Sequence, residues 1–459
     1  MKNDKLSERA ASYIKRNPVR FHVPSHKGRG ESRYIDREYD ITELDFSDNL
    51  SYPESVIREH EKRLSGLFGV RSTSVTLNGS SSALMAAVMS CARAGEKVLI
   101  PSDSHLSAYY GVMHAGAVLI RAECADPFSG CTFEELQRSI EAHPGIKAAV
   151  LTYPTYYGCC GSLEKMISYL RSKGIMSIAD AAHGTHLRFG EGYPAAAEDC
   201  GCDLAVHSGY KTINGPTQSA MLHNVSGQIP AMDLRKWLRT INSTSPSYPL
   251  LLSFLEAAEG LNASKNELTE LYLWYNELAE FLEKTPLTLL NYEKSRSSED
   301  IKFDPLKLPV DFSYAEMDAG EAAGILRENF GIYAEMHDDN VLLLAAGLNS
   351  VKEDYDMLKK ALGSLNLKGS RKQKTIKNLP PLPKQLLDMK SAMQMRYEWT
   401  DIDDAQDRIS ADFLSVYPPG APLILPGSLI SRETAEYYSS AAGERTAGFA
   451  GKKIKVLKI

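Results

Sequence analysis

The stretch Asp203-Leu-Ala-Val-His-Ser-Gly-Tyr-Lys211-Thr-Ile-Asn-Gly-Pro-Thr-Gln-Ser-Ala220 decides how this chain is read. It begins as a short apolar run and then turns small and polar around a single lysine, Lys211. Ser208 and Tyr210 precede that lysine, and Thr212, Thr217 and Ser219 follow it. Gly215-Pro216 bars a regular helix through the middle. A lysine at a strand-to-loop junction among hydroxyls suits an amine that traps a carbonyl, which needs a lowered pKa and a fixed position. The same residues would also make a plain surface turn.

A second stretch, upstream, narrows the choice. Gly174 to Gly184 reads Gly-Ile-Met-Ser-Ile-Ala-Asp-Ala-Ala-His-Gly, an apolar strand ending on Asp180 and turning through small residues to His183. A carboxylate at the end of a buried strand is costly unless a cation or several donors meet it. A protonated pyridine nitrogen is such a cation. An Asp that keeps the ring protonated and a Lys that carries the cofactor through its amine are what pyridoxal 5'-phosphate (PLP) requires.

On these residues the chain resembles the fold-type I, PLP-dependent Orn/Lys/Arg decarboxylase family in its short bacterial form. The family's Ser-x-His-Lys is matched by Ser208-Gly209-Tyr210-Lys211, its Thr-Gln-Ser by Thr217-Gln218-Ser219, and its Asp-Glu-Ala-His-Gly by Asp180-Ala181-Ala182-His183-Gly184. Phe21-His22-Val23-Pro24-Ser25-His26-Lys27 is similar to a further block near the N-terminus, with Ser25 in place of a glycine, and 40–50 is similar to the block after it. The resemblance implies an α/β fold of the PLP-dependent transferase (aspartate aminotransferase-like) type. That fold has a mainly parallel central sheet, a small α/β domain and a C-terminal α/β domain. The expected division is an N-terminal arm over 1–50 at a dimer interface, a PLP-binding large domain over 51–284, a small domain over 285–367, a linker over 368–384 and the C-terminal domain over 385–459.

Strands alternate with helices through the first half of the chain, which predicts a mainly parallel sheet with its site at the strands' C-terminal ends. A strand over 73–77 runs into Asn78-Gly79-Ser80-Ser81-Ser82-Ala83 and a helix over 84–93. Free N–H groups, hydroxyls and a positive dipole end make an anion site there, suited to the cofactor phosphate through Gly79, Ser80 and Ser81. A simple serine N-cap is the competing reading. A strand over 97–101 leads to His105, which the resemblance places stacked on the cofactor ring. It also gives Ser208 and Thr217 to the cofactor, packs His183 around the ring, puts Tyr210 beside the catalytic lysine, and takes Ser247, in Thr244-Ser245-Pro246-Ser247-Tyr248, to the phosphate of a partner subunit. A mainly helical stretch is expected over 251–284 and a strand over 340–344.

Composition sets outer limits. The chain has 459 residues, 43% hydrophobic and 24% charged, with a formal net charge of −6. That length supports two or three domains, and the charge argues against nucleic acid as a partner. No apolar run approaches membrane-spanning length and the first twenty residues lack a signal-peptide core, so a cytoplasmic protein is expected. Seven cysteines at irregular spacing fit free thiols rather than a metal site.

The implied activity is decarboxylation of arginine, lysine or ornithine to the corresponding amine, as in polyamine biosynthesis, by a homodimer or larger homo-oligomer. Three positions depart from the family: Tyr210 for a histidine, Ala181 for a glutamate, and Ser428 for the glutamate of a Pro-Gly-Glu turn. They keep open another PLP reaction on an amino acid, such as an aminotransferase, lyase or oxidase, and a PLP-fold protein with no enzymatic role.

Overall fold

Residues such as Ile178 and Ala179, or Leu204, Ala205 and Val206, point alternately to opposite faces of an extended chain. In the computed structural model, which describes residues 15–21, 27, 48–126, 128–292, 301–368, 380–416, 420–440 and 446–458, both faces of those strands are covered. The strands are β1 (Ser72–Thr76), β2 (Lys97–Pro101), β3 (Val118–Ala122), β4 (Ile146–Thr152), β5 (Met176–Asp180), β6 (Leu204–Ser208) and β7 (Ala220–Asn224). Their order in the sheet is β1-β7-β6-β5-β4-β2-β3. All neighbours run parallel except β7, which is antiparallel to both β1 and β6.

Helices α1 (Val56–Phe68), α2 (Gly79–Cys91), α3 (Leu106–Ala115), α4 (Phe133–Ala142), α5 (Leu163–Ser172) and α6 (Ala231–Ile241) flank this sheet. Leu84, Val88, Tyr109, Val112, Leu234 and Leu238 from α2, α3 and α6 close over Val98, Ile100, Val150, Ile178, Leu204 and Val206. On the other face Phe68, Leu163, Ile167 and Leu170 from α1 and α5 cover Leu99, Leu151, Ala179 and Ala205. Each such Leu or Ile taken fully out of water contributes about 1.5–3 kcal/mol. The double cover fixes the strands and so the loops at their C-terminal ends.

Two details differ from the sequence reading. Helix α2 starts at Gly79 rather than at 84, so Gly79, Ser80 and Ser81 form its first turn. The Thr76 hydroxyl accepts from the Asn78 N–H at 3.1 Å and contacts Ser82 Oγ at 3.1 Å, which tightens the entry enough for the serines to be helical. The helical stretch expected over 251–284 is two helices, α7 (Tyr248–Glu259) and α8 (Lys265–Leu282), separated by a short turn at Gly260–Ala263.

A second sheet follows, β8 (Thr288–Leu289), β9 (Lys307–Asp311), β10 (Met336–His337) and β11 (Val341–Ala345), in the antiparallel order β8-β9-β11-β10. Helices α9 (Ala319–Phe330) and α10 (Lys352–Ser364) pack beside it. Val19–Phe21 from the N-terminal arm pairs in parallel with Ile332–Ala334, and Phe21 meets Tyr355 edge to face. A third group, β12 (Tyr397–Asp401), β13 (Phe449–Ala450) and β14 (Lys453–Leu457), encloses its own core of Ile402, Leu414, Ile424, Ile430, Tyr438 and Val456. It docks on the large sheet where Arg121 donates to the carbonyls of Pro422 and Leu423 and where Phe413 meets Tyr110. His22 to His26, Gly28, the block over 40–47, most of the expected linker and Tyr417 to Pro419 lie outside the described residues.

Candidate active site

Two of the buried central strands leave the sheet on polar residues, and those ends converge here. Asp180 is the last residue of β5 and Ser208 the last of β6, adjacent strands in register through Asp180 and Val206. Beyond Ser208 the chain passes Gly209 and Tyr210 to Lys211 and returns as β7. The return is tight: the Gly209 N–H donates to Ser219 O at 2.8 Å, and a side chain at Gly209 would collide with Ser219 Oγ and the Phe254 ring. The lysine therefore sits on a constrained turn.

Lys211 Nζ lies 3.1 Å from His183 Nε2. Burial lowers the Lys211 pKa, opposed by the negative charges of Asp180 and Glu335. Burial, reinforced by Lys211, Lys307, His105 and His186, holds His183 well below the ordinary imidazole range, so the ring is neutral. His105 is lowered too, first by burial and then by Lys211, with Asp180 opposing. Its Nδ1 accepts from the Ser107 N–H at 3.2 Å, so it N-caps α3, which fixes its place at the end of β2.

The first turn of α2 lies beside the lysine turn. The Gly79 N–H donates to Gln218 O at 2.7 Å, joining the first turn of α2 to the lysine turn. Ser80 and Ser81 are half-buried, and among the described residues neither hydroxyl has a hydrogen-bond partner. Ser247 is the N-cap residue of α7, half-buried, while Thr217 is exposed; neither side chain hydrogen-bonds within the described chain. Ser243, four residues before Ser247, donates its N–H to Asn78 Oδ1 at 3.3 Å, which brings this segment to the start of α2. Tyr210 is half-buried beside Lys211. Ala181 is buried, and Ser428 is buried within the C-terminal domain, donating to Gln385 Oε1 at 2.8 Å.

Five residues escaped the sequence reading: Tyr156, Glu335, Lys307, His186 and Asp304. Tyr156 meets the His183 ring edge to face and donates to Glu335 Oε1 at 2.7 Å. Lys307, at the start of β9, is buried with its ammonium 5.2 Å from the Tyr156 ring centroid. Burial lowers its pKa to about 8, against the pull of Glu335 and Asp304. His186 Nε2 and Asp304 Oδ1 pair at 2.9 Å with both side chains fully buried. The one signal in the sequence was the density of charge in Asp304-Pro305-Leu306-Lys307. Lys27 from the arm donates to Ala345 O at 2.9 Å, and Ala345 is the register partner of Lys307.

The fit to PLP can be tested on unsatisfied groups. Ser208 Oγ and His183 Nδ1 are buried without a hydrogen-bond partner. Asp180 is buried, and among the described residues its carboxylate accepts only the Ala182 N–H, at 3.3 Å. A buried hydroxyl, imidazole and carboxylate left short of partners are costly in a closed chain. A phosphate for Ser208 and a pyridinium N–H for Asp180 are the complementary groups. The residues fit the cofactor.

Comparison with known proteins agrees. The model of the Orn/Lys/Arg decarboxylase major domain matches residues 6–278, and that of the Orn/Lys/Arg decarboxylase C-terminal domain matches residues 379–453. The arginine decarboxylase of Halalkalibacterium halodurans is 27% identical, over 93% of this chain and 91% of that one. The arginine decarboxylase of Bacillus subtilis is 29% identical, over 93% and 91%. The solved lysine decarboxylase of Francisella novicida shares the fold with a TM-score of 0.76 at 17% identity, covering 99% of this chain and 84% of that one. Fold, strand-end site and matched domains lead to one conclusion: the chain belongs to the Orn/Lys/Arg decarboxylase family.

Proposed function

We propose that this protein binds PLP and removes the α-carboxylate of a basic L-amino acid, arginine, lysine or ornithine, to give the corresponding amine. The observation that carries this reading is the meeting of Lys211, His183 and Asp180 at the ends of neighbouring strands, with Lys211 Nζ 3.1 Å from His183 Nε2.

In this reading Lys211 holds the cofactor through its amine, and burial keeps a larger fraction of that amine neutral and nucleophilic. Asp180 holds the proton on the ring nitrogen. Ser80, Ser81, Ser208 and Thr217 hold the phosphate, joined by Ser247 from a second subunit of a homodimer; Gly79, expected to hold it too, spends its N–H on Gln218 O and shapes the turn instead. His105 packs on one face of the ring, and neutral His183 orients the lysine amine. Bound PLP supplies the sink for the electron pair left when carbon dioxide departs. The proton that replaces the carboxylate comes from Lys211 or the Tyr210 phenol. In this reading the chain divides into an N-terminal arm over 1–50, a PLP-binding large domain over 51–284, a small domain over 285–367, a linker over 368–384 and a C-terminal domain over 385–459. The amine would serve polyamine synthesis in the cytoplasm, and no described helix is long and apolar enough to cross a membrane.

The test is a visible spectrum and a carbon dioxide release assay on the purified protein with arginine, lysine and ornithine. A visible cofactor band that Lys211→Ala abolishes, with release from one of the three, supports the reading. A band without release from any of them sinks the basic amino-acid assignment, and no band in the native protein sinks PLP as well.

A further inference from the structure

A cluster of acids lies apart from the lysine turn and has no part in the chemistry above. Cys124 and Cys131 stand on the loop between β3 and α4, and Glu135 is in the first turn of α4. Their Sγ, Sγ and carboxylate oxygen atoms all lie within 4.8 Å of one another. A fourth group joins from the loop after β2: Asp103 Oδ1 is 3.5 Å from Cys124 Sγ, and the Cys131 N–H also donates to the Asp103 carboxylate. Three separate segments thus bring two thiols and two carboxylates together.

No described Lys, Arg or His side chain forms an ion pair with Asp103 or Glu135. Gathering carboxylates without a counter-charge is unfavourable, and a bound cation reverses the sign of that interaction. The carboxylates are also aimed. Glu135 accepts the N–H groups of Ala125 and Thr132, each at 2.8 Å, which fixes its plane while leaving a lone pair on each oxygen. Ligating carboxylates are ordinarily held in this way. Gly130 lets the loop close down, because a Cβ there would stand 2.9 Å from Asp103 Oδ2 and 2.7 Å from Thr155 Cγ2.

Two sulfurs and two oxygens make four donors of mixed softness, the number and kind suited to tetrahedral zinc. We propose that Cys124, Cys131, Glu135 and Asp103 bind one zinc ion, which ties the β3–α4 loop to the segment that carries His105. The ion displaces the two thiol protons to solvent as it binds. Zn–S bonds of about 2.3 Å and Zn–O bonds of about 2.0–2.2 Å require the cluster to contract as the ion binds. With four protein ligands the site is closed and structural.

The test uses the full-length, PLP-saturated protein. Elemental analysis should find one zinc per chain, and exchange for cobalt(II) should give an intense thiolate-to-cobalt charge-transfer band. In mass-spectrometric mapping, Cys124 and Cys131 should resist alkylation until a chelator is added, while Cys200 reacts in both states. Cys131→Ser should lose the zinc and the cobalt band, and Cys200→Ser should keep both. Should Cys131→Ser fail to fold, the native protein's zinc content, cobalt band and alkylation pattern decide alone. Native protein that takes up no zinc, or whose mass is two hydrogens lighter because Cys124 and Cys131 form a disulfide, overturns the proposal.

Discussion

The terminal nitrogens of Lys211 and His183 lie 3.1 Å apart although the two residues follow different strands, β6 and β5. His183 is neutral because burial and four neighbouring cationic or basic groups disfavour its charge, and its Nε2 lies within hydrogen-bond distance of the amine and holds it in place. His183→Ala should lower kcat by roughly 10²-fold, the lower end of what a positioned acid–base group contributes. The visible cofactor band should survive, since Lys211 remains. Steady-state kinetics and one spectrum check both.

Ser208 offers a cleaner separation of folding from binding. Its hydroxyl is fully buried and without a hydrogen-bond partner, so Ser208→Ala removes an uncompensated polar group from the cofactor-free chain. The melting temperature of that form should stay level or rise. A hydrogen bond to a charged phosphate is worth about 1.5–3 kcal/mol, so the dissociation constant for PLP should rise by about 10- to 100-fold. Equal losses in both measurements would remove Ser208 from the cofactor site.

Lys307 predicts a pH dependence with a defined sign. Its pKa in the folded protein is lowered to about 8 from 10.5, chiefly by burial. Between those two values the unfolded chain holds the extra proton, so the Lys307 contribution makes the protein more stable as pH rises across that window. The full swing is on the order of 3 kcal/mol. Other groups titrate there as well, so the measurement is the difference between the native protein and Lys307→Met, followed by denaturant unfolding from pH 8 to 10.5. A flat difference refutes the assignment.

Arg235 tests the scaffold rather than the site. Its guanidinium donates to Glu61 Oε2 at 2.5 Å and to Leu50 O at 3.0 Å, and Glu61 also accepts the Val75 N–H at 2.9 Å. Arg235→Met leaves Glu61 buried and unpaired, at a cost of about 3–5 kcal/mol. The thermal midpoint should fall by several degrees. Replacing both partners with apolar residues of similar volume should recover most of it.

What the sequence showed clearly was the end of each strand. Apolar runs that stop on Asp180 and Ser208, and a lysine among hydroxyls, are local signals, and the structure brings these residues together. The start of α2 was less legible because consecutive serines are weak helix formers, and the contacts of Thr76 with Asn78 and Ser82 tip them into the helix. Lys307, Glu335 and Tyr156 were hardly legible. Lys307 and Glu335 come from the downstream small-domain region and reach this site only through tertiary packing, and Tyr156 comes from the loop after β4; apart from the charge around Asp304 and Lys307, nothing in their own neighbourhoods marks them. Cys124, Cys131 and Glu135 are close in sequence, but Asp103 joins them from a different loop and could not be placed beside them from the sequence. Ser428, which stands where the family has a glutamate, is buried in the C-terminal domain and donates to Gln385 Oε1.

The one reversed strand of the large sheet has a kinetic consequence. β7 zips to β6 as a neighbouring hairpin, but its other edge must find β1, where His223 pairs with Thr73 across 150 residues of chain. Loop closure over that span is among the slowest pairings the sheet requires. The Gly79 N–H reaches Gln218 O only once that seam has formed. A late folding intermediate would therefore already present Asp180, His183 and Lys211 while still lacking a docked phosphate cradle, and cofactor capture would report the last step of folding.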